Sequence, residues 1–387
     1  MDPLPRPVRL LGWTSLFTDA ASEAIYPLLP VFVTTIVGGG AAALGLIEGA
    51  AEAASSVLKL LSGRVSDRVG RRKPFAVGGY ALAAAARPLV ALATSWTHVF
   101  AVRFVDRVGK GMRGAPRDAM LAALAPPGER GRVFGYHRAM DHMGAVIGPL
   151  GAAVFLWFAP GEYRLLFALS VIPGALAVAT VLRVPETPVA APPPVPAAPP
   201  EAVPPRLRRF LVVLAVFTLG NSTDAFLLLR LSDAGVATAA IPLLWAGLHV
   251  VKAVLSTPGG RLSDRVGRRA LIAGGWCWYA VVYAGFALSD GPAALVGWFL
   301  AYGAYFGLAE GSEKALVADL AGEAARGTAF GWYNAVLGLG ALAASVAFGA
   351  VWELVGPAAA FLAGAGLALL ATLLLLLSDD LHGGRDH

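Results

Sequence analysis

Cysteine is nearly absent: Cys277 is the sole one in 387 residues, so no intrachain disulfide framework can form. Charge is also scarce, with Asp, Glu, Lys and Arg making up 14% of the chain, too little to cover a soluble fold of this size. There is no G-x-x-x-x-G-K-[ST] phosphate loop; Gly109-Lys110-Gly111 lacks both the upstream glycine and the Ser or Thr, which disfavours an ATP-driven pump. No cofactor, resident metal or catalytic centre is expected. What fills the chain instead is 57% hydrophobic residues, with a mean hydropathy of +0.66. Such a composition belongs to a polytopic membrane protein whose solvent is the lipid bilayer. A net charge of +6 and a pI near 9.6 would point to nucleic acid in a soluble protein. Here the basic residues lie mainly in loops between apolar runs, which orients the chain in the membrane, and no nucleic-acid partner is expected.

Twelve apolar runs of spanning length can be counted: 10–36, 43–62, 74–95, 97–124, 132–158 and 163–183, then 208–230, 237–258, 270–289, 292–319, 328–354 and 357–377. The first begins near Leu10 and holds Asp19 and Glu23, so it reads as a first span and not as a cleavable signal. Between the sixth and seventh runs, Pro192-Pro193-Pro194, Pro199-Pro200 and Pro204-Pro205 stand among alanines, a composition that favours extended polyproline and cannot pack a core. The expected organisation is an N-terminal six-helix bundle over 1–184, a Pro/Ala-rich cytoplasmic linker over 185–207 and a C-terminal six-helix bundle over 208–387.

The two halves repeat one another. Gly63-Arg64-Val65-Ser66-Asp67-Arg68-Val69-Gly70-Arg71-Arg72 returns about 200 residues later as Gly260-Arg261-Leu262-Ser263-Asp264-Arg265-Val266-Gly267-Arg268-Arg269. Arg130-Gly131-Arg132-Val133-Phe134-Gly135 likewise returns as Arg326-Gly327-Thr328-Ala329-Phe330-Gly331. Two copies of one six-helix unit explain both matches. Arg6, Arg9, the run from Arg64 to Lys73, Arg130, Arg132, Arg206 to Arg209 and the run from Arg261 to Arg269 share one membrane face if both termini are cytoplasmic. The opposite loops, such as Val37-Gly38-Gly39-Gly40, carry almost no basic residues.

Ionisable residues inside apolar runs are costly and invite a functional reading. In the fourth run Arg103, Arg107, Lys110, Arg113 and Arg117 recur at spacings of three or four and share one helical face, which must turn away from lipid. At about 1.5 Å per residue, Arg107 lies about 15 Å deep, near the midplane. Asp19 and Glu23, and likewise Glu48 and Glu52, stand at i and i+4 and are candidate counter-charges, able either to exchange protons or to serve as static partners of the arginines. His137, Arg138, Asp141 and His142 gather in the fifth run; His137 with Asp141 reads as a structural or proton-relay pair, or as a divalent metal site. In the second half Asn221 and Asp224 replace the first-run acids, Glu310, Glu313 and Lys314 replace the basic stripe, and His249 with Lys252 form a further polar patch.

The duplicated G-x-[LV]-x-D-R-x-G-R-R stretch resembles motif A of the major facilitator superfamily, the cytoplasmic loop between the second and third helices of each half. Arg107-Val108-Gly109-Lys110-Gly111 resembles the core of motif B, with Lys110 in place of the usual Gln; the family's association of that arginine with proton coupling passes to Arg107 alone. Gly144, Gly148, Pro149 and Gly151 match motif C, g-x-x-x-G-P-x-x-G, characteristic of exporters in the drug:proton antiporter group.

The resemblance implies an all-α membrane protein, two pseudo-symmetric six-helix bundles around a central cavity, working as a monomer by alternating access in the cytoplasmic membrane. It implies a small organic solute or drug and protons as partners, with export as the direction. Motif A, through Gly63, Asp67, Arg68, Gly70, Arg71 and Arg72 and through Asp264, Arg265 and Arg268, would form the gate. Arg113 and Arg117 would neutralise Asp67, and Asp67 would lie against the helix start near Arg326-Gly327-Thr328. The candidate cavity residues are Asp19, Glu23, Glu48, Glu52, Arg107, Lys110, Asp141, Asn221, Asp224 and Glu310. Uptake or exchange of an organic anion, motivated by the basic stripe, and a non-transporting receptor or scaffold remain as alternatives.

Overall fold

The computed structural model describes residues 4–126, 129–186 and 203–378, leaving the side chains of 130, 131, 257, 264 and 322–328 outside that description. Most of the expected linker, the Asp264 side chain and the Arg326-Gly327-Thr328 docking point therefore lie outside the described residues. Among those described, the chain is helices and turns with no strand. Eleven helical segments, from Arg6–Ile36 to Pro357–Leu377, are long and apolar enough to cross a membrane. The helix Trp96–Leu124 has the length, 29 residues, and is set apart by its charges.

Two expectations are corrected. Motif A is mostly helix: Ala41–Val69 runs through Gly63 to Val69, and Ile241–Val266 does the same in the second copy. The chain reverses only at Gly70 and Gly267, whose φ values of 70° and 96° suit glycine. The tenth and eleventh runs, expected to part between 319 and 328, share one 44-residue helix, Gly311–Leu354. The intervening Leu320-Ala321-Gly322-Glu323-Ala324-Ala325-Arg326 holds no proline and is rich in helix formers.

The chain forms two compact units: one of Met1–Gly39, Ala50–Pro196 and Ala237–Ala246, the other of Gly40–Gly49, Ala197–Val236 and Gly247–His387. In the first, the Arg6–Glu23 helix packs most extensively on Arg130–Phe158, and Lys73–Ala86 on Trp96–Leu124. Small residues make both contacts close. A Cβ on Gly144 or Gly148 would strike the carbonyl oxygens of Leu16 and Ala20, and Gly79 and Gly109 face each other's backbone in the same manner. Val8, Leu11, Ala76, Tyr80, Met120, Leu121, Val133 and Val181 close one end as an apolar cluster.

The second unit is held by aromatic rings. Phe217 stacks on Trp276 at 4.5 Å, Tyr279 on Tyr283 at 4.1 Å, and Phe361 meets Tyr283 edge-on at 5.2 Å. Its first long segment is broken: Pro205–Gly220 ends, Asn221 to Asp224 leave the helical path, and Ala225–Asp233 resumes. The first unit has a counterpart where Arg6–Glu23 ends and a 3-10 turn, Tyr26–Leu28, follows.

The glycine contacts make a direct stability prediction. Gly148→Ala gains helix propensity yet should lower stability by about 1–3 kcal/mol, because its methyl must displace the backbone around Ala20. Gly151, with nothing within 4 Å of an added Cβ, should tolerate alanine without loss. Thermal unfolding of the two purified variants checks this; equal melting temperatures would remove the close-approach account of these glycines.

Candidate functional site

The charged helix Trp96–Leu124 is accommodated through a residue that the sequence reading passed over, Asp106. Its carboxylate, 1% exposed, lies 2.8 Å from Arg87 Nε, 3.6 Å from Arg103 Nη1 and 3.9 Å from Arg107 Nη1. The Arg87 contact has the distance of an ion pair but is off the angle of a hydrogen bond. Arg87 follows directly on Lys73–Ala86, and its Nη1 donates to the Thr18 carbonyl at 3.0 Å, tying three helices together. Arg103 also lies over the Tyr26 ring, 5.5 Å from its centroid. A cavity of about 10 Å³ adjoins these groups, lined by Ser22, Ile25, Arg87, Val90, Val102, Arg103 and Asp106. Arg107, expected opposite Asp19 or Glu23, thus has Asp106 as its ion-pair contact. The available signal was an acid three residues after Arg103 and next to Arg107, on the stripe itself.

Asp19 is half-buried and surrounded by charge, with Asp141 and Glu23 of like sign and Arg113 and Lys110 of opposite sign. Asp141 accepts a short hydrogen bond from Ser15 Oγ, and His137 Nδ1 lies 3.4 Å away one helical turn back. These groups meet where Arg6–Glu23 packs on Arg130–Phe158, beside the motif C glycines. Among the described residues no cluster of three metal-ligating side chains occurs. Glu23 accepts from Trp245 Nε1 at 2.8 Å, and Trp245 lies 4.9 Å from the Tyr26 ring. Glu48 is buried, whereas Glu52 is open to solvent among the charges of Lys110, Arg107, Arg103 and Lys59.

The expected gating partners are elsewhere. Asp67 is more than half exposed and pairs with Arg72 at 3.1 Å, five residues on. Arg113 is buried with its guanidinium 4.6 Å over the Tyr80 ring, and Arg117 pairs with Asp118 at 2.7 Å. Trp96–Leu124 carries seven charged residues, and its own acids compete for the arginines: Asp118 takes Arg117, while Arg113 is left to the ring face. Glu186, unremarked in the sequence, accepts from the backbone N–H of Arg72 and Lys73 at 3.1 and 3.0 Å, capping the helix that begins there. Arg71 lies 3.9 Å from the same carboxylate. In the second copy Arg268 pairs with Asp319 at 3.1 Å, and Arg265 is exposed.

In the second unit, Asn221 and Asp224 sit at the break in the helix. Tyr279 donates to the Gly220 carbonyl at 3.0 Å, lying 3.4 Å from Asn221 Oδ1. Asp224 accepts from Tyr302 at 2.8 Å, with Lys252 Nζ 3.4 Å from its other oxygen. Glu310, the expected cavity acid, instead pairs with Lys314 at 2.6 Å on an exposed face. The buried acid is Glu313, 3% exposed, which accepts from Trp276 Nε1 at 2.9 Å and Tyr333 OH at 3.1 Å. Glu310 and Lys314 stand at i and i+4, which leaves Glu313 on another face.

The sequence matches the Major Facilitator Superfamily profile over residues 11–249 and 230–386. It is 34% identical over 389 residues to an uncharacterized MFS-type transporter of Methanocaldococcus jannaschii, covering 96% of this chain and 95% of that protein. Over 126 residues it is 31% identical to the multidrug resistance protein MdtH of Photorhabdus laumondii, 33% of this chain and 31% of that one. Among solved structures, the nucleoside transporter NupG superposes with a TM-score of 0.79 at 15% identity, over 96% of this chain and 99% of its own. With its apolar helices, its duplicated motifs and this agreement along nearly its whole length, the chain belongs to the major facilitator superfamily, as a multi-pass membrane transporter of small molecules.

Proposed function

We propose that this transporter exports a small organic solute or drug in exchange for protons, by alternating access. The observation that carries the reading is the setting of Asp19, a half-buried carboxylate between two acids, Asp141 and Glu23, and two cations, Arg113 and Lys110. Adding a proton there relieves repulsion among the acids and releases the two cations. The balance of charge at the junction of three helices changes in one step, which biases a two-state equilibrium. The short stretch of similarity to a multidrug resistance protein supports export, as does motif C at the same junction.

In this reading the charged helix Trp96–Leu124 is the fourth of twelve spans, the bundles occupy 1–184 and 208–387, and 185–207 links them. Both termini face the cytoplasm, the membrane is the cytoplasmic one, and the monomer is the working unit. Motif A, with Asp67 and its repeat Asp264, serves the cytoplasmic gate.

The test uses proteoliposomes with a pH dye inside and an imposed proton gradient, to which cationic, zwitterionic and anionic solutes are added. Solute-dependent collapse of the gradient is expected. Asp19→Asn should cut the coupled proton flux roughly 5–150-fold, the range of one coupling interaction. Unchanged coupling in Asp19→Asn and in Glu23→Gln would exclude both carboxylates as couplers.

A second reading, exchange of an organic anion, is favoured by the gathering of Arg87, Arg103 and Arg107 about one carboxylate, Asp106. It predicts anion exchange that persists with a protonophore present and is weakened by Arg107→Ala. Flux that collapses with the protonophore would set this reading aside.

A further inference from the structure

The break at Asn221 to Asp224 places irregular backbone within a segment long and apolar enough to span, Pro205–Asp233. At that depth irregular backbone is tolerated where protein buries it or where it lines a cavity. A second irregularity faces it. Phe306 opens a π-helical turn, Phe306–Glu310, in place of regular α-helix, a distortion found often at functional sites.

Between these two features lies the ammonium group of Lys252. It is 3.4 Å from Asp224 Oδ2, 3.6 Å from the Phe306 ring centroid and 6.0 Å from that of Tyr302. The Tyr302 hydroxyl donates to Asp224 Oδ1 at 2.8 Å, which orients the carboxylate and turns its other oxygen to the cation. Tyr302 is itself 1% exposed and fixed by Tyr279, Tyr283 and Tyr305 at 6.0, 6.4 and 5.9 Å. A carboxylate and two aromatic faces around one point are the chemistry that selects an ammonium ion. The present occupant hangs on a flexible four-carbon stem, and the pair is not sealed: the side chains are 14% and 19% exposed.

We propose that Asp224, Tyr302 and Phe306 form a binding site for an organic ammonium, and that Lys252 is its tethered occupant, displaced when a substrate brings an ammonium of its own. The carboxylate and the rings exchange one cation for another, so the desolvated acid is never left bare. Lys252 then lowers the affinity of any amine by the work of displacing it, and an uncharged analogue gains nothing from the cage. The site goes beyond the proton-coupled reading, because equilibrium binding to it requires no proton movement.

Isothermal titration of the full chain in nanodiscs, with phenethylammonium as probe and phenethyl alcohol as its uncharged counterpart, tests the proposal. Lys252→Met should bind phenethylammonium roughly tenfold more tightly than the natural chain, since the competing state is removed. Adding Asp224→Asn to that variant should abolish the gain. With Lys252 replaced by Met, so that no tethered ammonium shares the ring, Phe306→Leu should weaken binding between a few-fold and about thirtyfold. Lys252→Gln takes the place of Lys252→Met if the latter does not yield folded protein. The proposal is overturned if Lys252→Met binds no more tightly, if phenethyl alcohol responds as the ammonium does, or if Phe306→Leu changes nothing. None of those results bears on proton exchange measured in proteoliposomes.

Discussion

A charge inside a hydrocarbon layer must meet an opposite charge or a set of hydrogen-bond donors, and the arrangement of this transporter follows from that requirement. The first unit meets it with ions. Asp106 gathers Arg87, Arg103 and Arg107, Asp118 takes Arg117, and Asp141 is addressed by Ser15 and His137. Arg113 has a ring face in place of a carboxylate. The second unit brings in neutral donors: Glu313 rests on an indole N–H and a phenol, and Asp224 adds a phenol to its ion pair with Lys252. One fold, repeated, carries two different ways of stabilising buried charge.

That contrast gives the units different responses to a change of protonation. A network of several ions, each near two or three others, redistributes when one charge is neutralised. An acid held by a tryptophan and a tyrosine keeps its place, because Trp276 is stacked on Phe217 and Tyr333 meets the Phe330 ring edge-on. The first unit is thus the electrostatically adaptable one, and in the second, among the described residues, helical geometry gives way in the stretch before Ala225 and at the turn that Phe306 opens.

The sequence discloses much of the fold, for physical reasons that can be named. Length and hydropathy alone mark the spans, and the repeated Gly-x-x-x-Asp-Arg stretch marks the duplication. The 3.6-residue period marks the basic face of Trp96–Leu124. The site is less legible. Periodicity groups residues on one helix but does not fix its rotation against its neighbours, so it cannot join Arg87 to Asp106 or Lys252 to Asp224. It assigned Arg107 to the first-helix acids for the same reason. Glu310 and Glu313 look alike as letters, and only the aromatic packing around Trp276 and Tyr333 distinguishes the exposed acid from the buried one. A proline or glycine makes a helix end visible in the sequence, whereas a stretch such as 319–328, weak in apolar residues but rich in helix formers, imitates one inside the continuous helix Gly311–Leu354.

The contact between Arg6–Glu23 and Arg130–Phe158 joins the beginning of the chain to a segment made much later. Leu16 and Gly144 are in backbone contact, yet a ribosome adding 5–20 residues per second separates them by on the order of ten seconds. Through that interval the first helix, with Asp19 and Glu23 in it, has not met the surface that finally covers it. The two acids that make this helix chemically interesting therefore also make it a poor lipid-facing segment during synthesis. The arrival of Gly144 and Gly148 is what lets it settle, so the order of translation sets when the charged interior of the first unit can close.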